Sequence, residues 1–350
     1  MKIKNNLNKN IFFGLIGFIF GIIVMIVIFY TNFFGFNSAN VNKSPFFTES
    51  SLDNDKYNFL RPFIASGYKD NNEKESLKWF PSERNLKNLV QDAVFENNEV
   101  KTSVFFLNLN NSGWFSVNPT DTFIPASLLK LPMLISYYKL HESEKDLFDK
   151  KINYQGENFN QFKNLGNGTI VPGQTYTVKE LMREMVVHSD NNALQLLYKY
   201  REESLKSIFA DMNIPLPSTD QEIASKDFMT ARDIGRFLLV LYNSSYLSLE
   251  NSEEALQILS ESVFKDGIVA GVPSNIVVSH KFGERTLDQN GQNLKTELHD
   301  CGIVYHPNIP YIVCVMTKGS DIESEKLQIQ KISKIIYEGV DSFANNSKEN

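Results

Sequence analysis

The stretch IPASLLKLP, Ile124 to Pro132, sets a serine and, three residues on, a lysine at the head of an apolar run. Residues three apart on a helix share a face, so Lys130 can reach the Ser127 hydroxyl. A lone serine is a weak nucleophile and needs a neighbouring base. A lysine kept neutral by burial and by other cations can be that base. The bland alternative is a serine near a helix start with a lysine whose stem lies along apolar surface and whose head reaches water. The spacing alone is a weak signal, because Ser66/Lys69, Ser136/Lys139 and Ser262/Lys265 share it. Only Ser127 follows Pro125-Ala126 at the start of an apolar helical run.

Two further groups carry chemistry. His188-Ser189-Asp190-Asn191 interrupts a helical pattern in which Met182, Met185 and Val186 are apolar. Small polar residues there mark a loop, a cap or a site facing a cleft. Lys281-Phe282-Gly283 ends the strand-like run NIVVSH, and a lysine beside glycine on a strand suits an edge where a ligand approaches the backbone. Other chemistries find less support. There is no G-x-S-x-G elbow, and the five histidines contain no H-x-x-x-H pair. His188 and His280 adjoin the motifs and read equally well as cleft residues or as satisfied structural ones.

The elements that must position these groups are legible in outline. A polar tether is expected over residues 35–80, with one apolar patch at FLRPFIA, and the domain proper over 81–345. Leu86, Leu89, Val90, Ala93 and Val94 predict an amphipathic helix. Lys101 to Leu109, a turn at Asn110 to Gly113, and Trp114 to Val117 predict a hairpin. Residues 127 to 262 read mostly as helix. Strand character returns at Asn275 to His280, Cys301 to Tyr305 and Tyr311 to Met316. A last helix carries Ile332, Ile335, Ile336, Val340 and Phe343 on one stripe. The expected fold class is α+β: an antiparallel five-stranded sheet flanked by terminal helices, with an all-helical subdomain inserted after the second strand.

The N-terminus predicts a membrane anchor. Residues 1–10 carry Lys2, Lys4 and Lys9, and Ile11 to Tyr30 contains no charge. Such a run spans a bilayer core of ~30 Å. A cleaved signal peptide is the competing reading, with only Asn37-Ser38-Ala39 as a weak site. We expect a transmembrane helix over 11–34, a cytoplasmic N-terminus and an extracytoplasmic domain. The net charge of −6 and the absence of a dense basic patch give no sign of nucleic-acid binding. Cys301 and Cys314 are too few for a disulfide framework; they read as small buried residues on neighbouring strands, paired or not.

In PASLLKLP, SDN and HKFG, in this order and on these elements, the chain resembles the penicillin-recognising serine hydrolases, and among them the class A β-lactamase domain. The resemblance spans roughly residues 83 to 343. It implies Ser127 as the acylated nucleophile, Lys130 as its base and Ser189 as proton relay to the leaving nitrogen. It further implies that Asn191 binds the substrate amide and Lys281 lies near its carboxylate. The N–H groups of Ser127 and Glu284, beside Gly283, would form an oxyanion hole. It implies no metal or organic cofactor, and a β-lactam or a peptidoglycan stem peptide as partner. Two departures stand out. Phe282 occupies the place of a hydroxyl residue, which Arg285 or Thr286 would have to replace. The loop Asp211 to Lys226 lacks E-x-x-x-N, and its Glu222 reads as a solvated residue. Three functions follow: a β-lactamase-like hydrolase, a D-alanyl-D-alanine peptidase or related acyl-transferase, and a tethered penicillin-binding sensor without turnover.

Overall fold

Glu83 explains how the first helix meets the sheet. Helix α1, Pro81–Phe95, opens on a proline, whose missing N–H costs nothing in a first turn. Glu83, in that turn, is buried, and its Oε1 accepts from Asn108 Nδ2 and Asn111 Nδ2, both at 2.9 Å. The helix is thereby fastened to the hairpin of β1, Lys101–Asn108, and β2, Trp114–Val117. Leu86, Val90, Ala93 and Val94 are buried as the periodicity predicts. Leu89 is not: it is 55% exposed, because the buried stripe is narrower than the apolar one.

This is a computed structural model; it describes residues 58–60, 80–159, 168–287 and 295–346, all within one compact unit, 54–350. The expected N-terminal segment 1–10, the anchor 11–34 and most of the tether 35–80 lie outside the described residues. Among the described residues no helix is long and apolar enough to cross a membrane.

The sheet is five-stranded and antiparallel, in the order β2, β1, Tyr311–Gly319, Lys295–Val304, Val278–Leu287. Strands β5, Val278–Leu287, β6, Lys295–Val304, and β7, Tyr311–Gly319, follow the insertion. Sequence placed the end of β5 at His280. The strand instead runs on through Lys281, Phe282 and Gly283, since β6 offers partners along its full length, from Val304 to Lys295.

Side-chain alternation sends the two faces of β1 and β7 into separate cores. Val104, Phe106, Val313 and Val315 pack with α1 and with α9, Ile322–Asn346, whose Ile329, Ile332, Ile336 and Val340 face them. Phe105, Leu107, Ile312 and Met316 face the inserted lobe. Burying each such side chain contributes about 1.5–3 kcal/mol. Cys301 and Cys314 lie directly opposite on β6 and β7, as neighbours, and are joined by a disulfide.

The insertion comprises helices α2, Lys130–Ser143, α3, Val178–Val187, α4, Asn191–Tyr200, α5, Glu203–Asp211, α6, Asp220–Ser225, α7, Ala231–Tyr242, and α8, Leu249–Ser260. It is not all-helical. Strands β3, Lys151–Asn153, and β4, Thr175–Thr177, pair as a ribbon in which Ile152 meets Tyr176. The β-forming Thr175-Tyr176-Thr177 suits that role. Helix α2 is buried from Lys130 to Tyr138, which makes it the hub of the lobe. Helix α7 closes on the sheet at Gly235, where a Cβ would sit 2.5 Å from the Phe105 ring.

Candidate active site

Ser127 sits in a short 3₁₀ turn, Ala126–Leu129, that runs straight into α2. Leu128 N–H donates to Pro125 O at 2.9 Å. Ala126, just before the serine, has φ +48°, a left-handed conformation that a Cβ disfavours. The Ser127 side chain is half-buried.

Lys130 is the first residue of α2 and has no exposed surface. Its Nζ donates to Ser189 O at 2.6 Å, Ser189 Oγ at 3.1 Å and Asn191 Oδ1 at 2.8 Å. The alternative of a lysine reaching outward is thus set aside. The ammonium is desolvated but supplied with three oxygens, the condition under which burial of such a group is tolerated.

Those oxygens are available because the helix breaks. Helix α3, begun by a Thr177/Glu180 capping box, stops at His188. Ser189 takes φ +52°, and Asp190 caps α4, its Oδ1 accepting from Ala193 N–H at 2.8 Å. Asp190 Oδ2 accepts from Ile170 N–H at 3.0 Å, and Asn192 Nδ2 donates to Ile170 O at 2.7 Å. Asp190, which the sequence places in a possible cap, and Asn192, which it does not single out, are positioning groups. The Asp-x-x-Ala cap pattern was their available signal.

Gly283 lies against the serine turn. A Cβ there would come within 2.7 Å of Pro125 O and 3.1 Å of Leu128 N, so only glycine lets β5 approach. β5 is the edge strand, and its alternate N–H groups find no partner in the sheet. Glu284 follows, half-buried and opposite Leu298. Lys281, two residues before Gly283, is fully buried; its Nζ lies 4.0 Å from the Phe282 ring centroid and donates to Phe282 O at 2.9 Å. The structure therefore joins Lys130, Ser189 and Asn191 by direct hydrogen bonds. It brings Gly283 to the Ser127 turn by contact and sets Lys281 beside Phe282.

Phe282 packs on the other face, its ring stacked on Phe264 at 4.3 Å. Strand alternation puts Arg285 on the face of Lys281 and Gly283, and Thr286 on the opposite one. Burial pushes the Arg285 guanidinium below its ordinary pKa, against the opposing charges of Glu297 and Asp227. His280 lies on the Phe282 face, where its Nδ1 meets Asp300 Oδ1 at 2.8 Å, and both are fully buried. It is a structural histidine. His188 stands 3.7 Å from Glu184.

Glu222 is committed to its own surroundings. Thr219 caps α6 by accepting from Glu222 N–H, Ser218 N–H donates to Glu222 Oε2 at 3.1 Å, and Lys226 pairs with its other oxygen. The Lys226 hydrogen bond and charge hold its carboxyl below the ordinary range.

A family model described as the beta-lactamase enzyme family matches residues 83–340. No curated protein matches the chain. Among solved structures the chain is similar to PBP-A, with 19% identity and a TM-score of 0.63 over 74% of this chain and 96% of that one. A PBP-A mutant, solved as an acyl-enzyme complex with penicillin G, is similar at 19% identity with a TM-score of 0.62, over 74% of this chain and 97% of that one. A class A β-lactamase from Bacteroides cellulosilyticus matches at 18% identity and a TM-score of 0.63, over 75% of this chain and 99% of its own. These likenesses establish the α+β fold, and the match over 83–340 spans most of the sequence. The chain therefore belongs to the beta-lactamase enzyme family, and with it to the serine hydrolases.

Proposed function

We propose that Ser127 opens the amide of a β-lactam ring and is acylated by it. The observation that carries this reading is the fully buried Lys130, whose Nζ bonds both Ser189 and Asn191 at the foot of the serine turn. In the proposed step, Lys130 in its neutral form takes the Ser127 proton as Oγ attacks the carbonyl carbon. The C–O bond forms, the oxyanion is held by the N–H groups of Ser127 and Glu284, and an oxyanion-hole donor is worth about 2.7–4 kcal/mol. The C–N bond then breaks and Ser189 passes a proton to the departing nitrogen, replenished from Lys130. Asn191 orients the substrate amide. Lys281 and Arg285 supply the positive charge for its carboxylate; the partly desolvated guanidinium of Arg285 replaces the hydroxyl that Phe282 lacks.

The proposal is tested by mass spectrometry of the full chain after exposure to benzylpenicillin. One adduct on Ser127 is expected, and Ser127→Ala should abolish it without changing the thermal midpoint. Labelling that persists in the variant overturns the reading.

Release is the slow step in this account. Glu222, the one glutamate of the Asp211–Lys226 stretch, is tied to Lys226 and Ser218, which favours a penicillin-binding peptidase, acyl-transferase or sensor over a fast β-lactamase. With a chromogenic cephalosporin we expect a stoichiometric burst followed by slow turnover; stopped-flow traces that are linear from the outset count against it. The acyl-enzyme of the PBP-A mutant with penicillin G supports the same chemistry. A stem peptide ending in D-alanyl-D-alanine is the second substrate to test, by release of D-alanine.

The proposed location is extracytoplasmic, anchored by residues 11–34. The uncharged run behind three lysines supports it, as does the Cys301–Cys314 disulfide, a bond at home in oxidising compartments.

A further inference from the structure

Two side chains of β6 grip the backbone three residues before the nucleophile. Glu297 Oε2 accepts from Ile124 N–H at 3.0 Å, and His299 Nε2 lies 2.9 Å from Ile124 O. His299 Nδ1 accepts from Thr317 N–H at 3.2 Å, so the ring proton resides on Nε2 and is donated to Ile124 O. Both side chains are buried, at 1% and 0% exposure.

The preceding residue is held as firmly. Phe123 N–H donates to Met229 O at 2.9 Å, and Phe123 O accepts from Met229 N–H at 3.2 Å. Every backbone donor and acceptor of Phe123 and Ile124 is thus engaged by another part of the chain. The two anchorages are also linked to each other. Lys318 Nζ pairs with Glu297 Oε1 at 2.7 Å and with Asp227 at 2.8 Å, and Asp227 stands two residues before Met229.

Directly downstream comes Ala126 at φ +48°. A non-glycine residue held there costs about 1–3 kcal/mol and persists only where its surroundings over-determine it. The downstream end is fixed by the three hydrogen bonds of Lys130. The upstream end has the Phe123–Ile124 grip. A buried carboxylate and imidazole are costly ways to satisfy the backbone N–H and C=O of one residue.

We infer that Glu297 and His299 are positioning residues for Ser127: by fixing Ile124 from both sides they hold the strained turn that aims the hydroxyl into the site. The inference rests on the reading of Ser127 as nucleophile. Neither residue belongs to the three motifs. Around Glu297 stand His299 on its own strand, Lys318 on β7, Arg285 opposite on β5 and Asp227 beyond Lys318. Burial pushes the Glu297 carboxyl up. The hydrogen bonds from His299 and Lys318 and the Lys318 charge outweigh it, so the carboxyl titrates below its ordinary range. Its grip is therefore complete at neutral pH and lost as pH falls through that lowered value.

The test uses the full chain and benzylpenicillin, separating the first-order acylation constant from the half-saturating concentration. Glu297→Ala should lower the acylation constant on the order of 10²-fold, as small misplacements of a reacting group do, with half-saturation little changed. Glu297→Gln, which retains an acceptor for Ile124 N–H, should recover most of the rate. His299→Asn keeps an acceptor for Thr317 but is too short for Ile124 O, and should slow acylation with the sheet intact by circular dichroism. Lys318→Met alters only a partly exposed side chain and so keeps the test independent of folding. It should shift the acid limb of acylation to higher pH, because it removes a group that keeps Glu297 ionised. Folded variants that acylate at the wild-type rate, with an unmoved acid limb, overturn the positioning role alone. A wild-type chain that forms no adduct overturns the nucleophile reading instead.

Discussion

Gly283 has a strict steric role. With a Cβ set 2.7 Å from Pro125 O and 3.1 Å from Leu128 N, either β5 or the serine turn must retreat. We expect Gly283→Ala to destabilise the fold by about 1–3 kcal/mol and to lose more acylation than that stability change explains. Urea unfolding alongside acylation kinetics separates the two effects; an alanine variant with unchanged kinetics refutes the close approach as a constraint. At this scale the sequence was informative where a residue type was out of place. A lysine in an apolar turn and three polar residues in a helical stripe pointed to Lys130, Ser189 and Asn191. Glu297 and His299 carried no such mark. They alternate on a strand as any half-polar pair does, and their partner Ile124 is distant in the chain and bonded only through its backbone.

Element boundaries depended on partners that single-segment patterns do not reveal. The Lys281-Phe282-Gly283 run resembles a strand end, yet pairing with β6 carries β5 to Leu287. Leu89 belongs to the apolar stripe of α1 by period, but the apolar side chains that the helix buries are Leu86, Val90, Ala93 and Val94. The break between α3 and α4 was legible because Ser, Asp and Asn compete for backbone hydrogen bonds. Glu325, near the start of α9, shows how such junctions are sealed. It is fully buried and accepts from Thr296 Oγ1 at 2.5 Å and Thr317 Oγ1 at 3.3 Å. Burial raises its carboxyl pKa, with the threonine hydrogen bonds opposing. A raised folded value means that its contribution is full below the unfolded pKa and is lost as pH rises through the folded one. Glu325→Gln should therefore stabilise the protein at neutral pH, where it removes the cost of the buried charge. The gain should vanish in acid. Calorimetric midpoints across pH decide it, and a gain that grows toward low pH contradicts the assignment.

For the whole molecule, the α+β plan was readable from the order of elements alone, whereas the strand order β2-β1-β7-β6-β5 was not, because nothing local encodes which distant strands meet. The short segment 58–60 shows the same kind of contact. Asn58 and Phe59 donate their N–H groups to the Glu253 carboxylate, Phe59 meets the Tyr305 ring edge-on at 5.3 Å, and Leu60 is buried. Part of the expected tether is thus docked on α8. Glu253→Ala should leave acylation unchanged and speed proteolytic cleavage near Phe59, read by limited digestion; equal cleavage rates would falsify the docking.

The central pairing of β1 with β7 sets Lys101 opposite Lys318. A ribosome therefore delivers Ser127, Lys130 and Ser189 long before the strand that gives β1 its second neighbour. Contacts so remote along the chain form slowly, and a nascent polypeptide meanwhile carries every reactive group without the crevice that joins them. Translation halted between Gly283 and Tyr311 should leave a product with all three signatures intact and no chemistry.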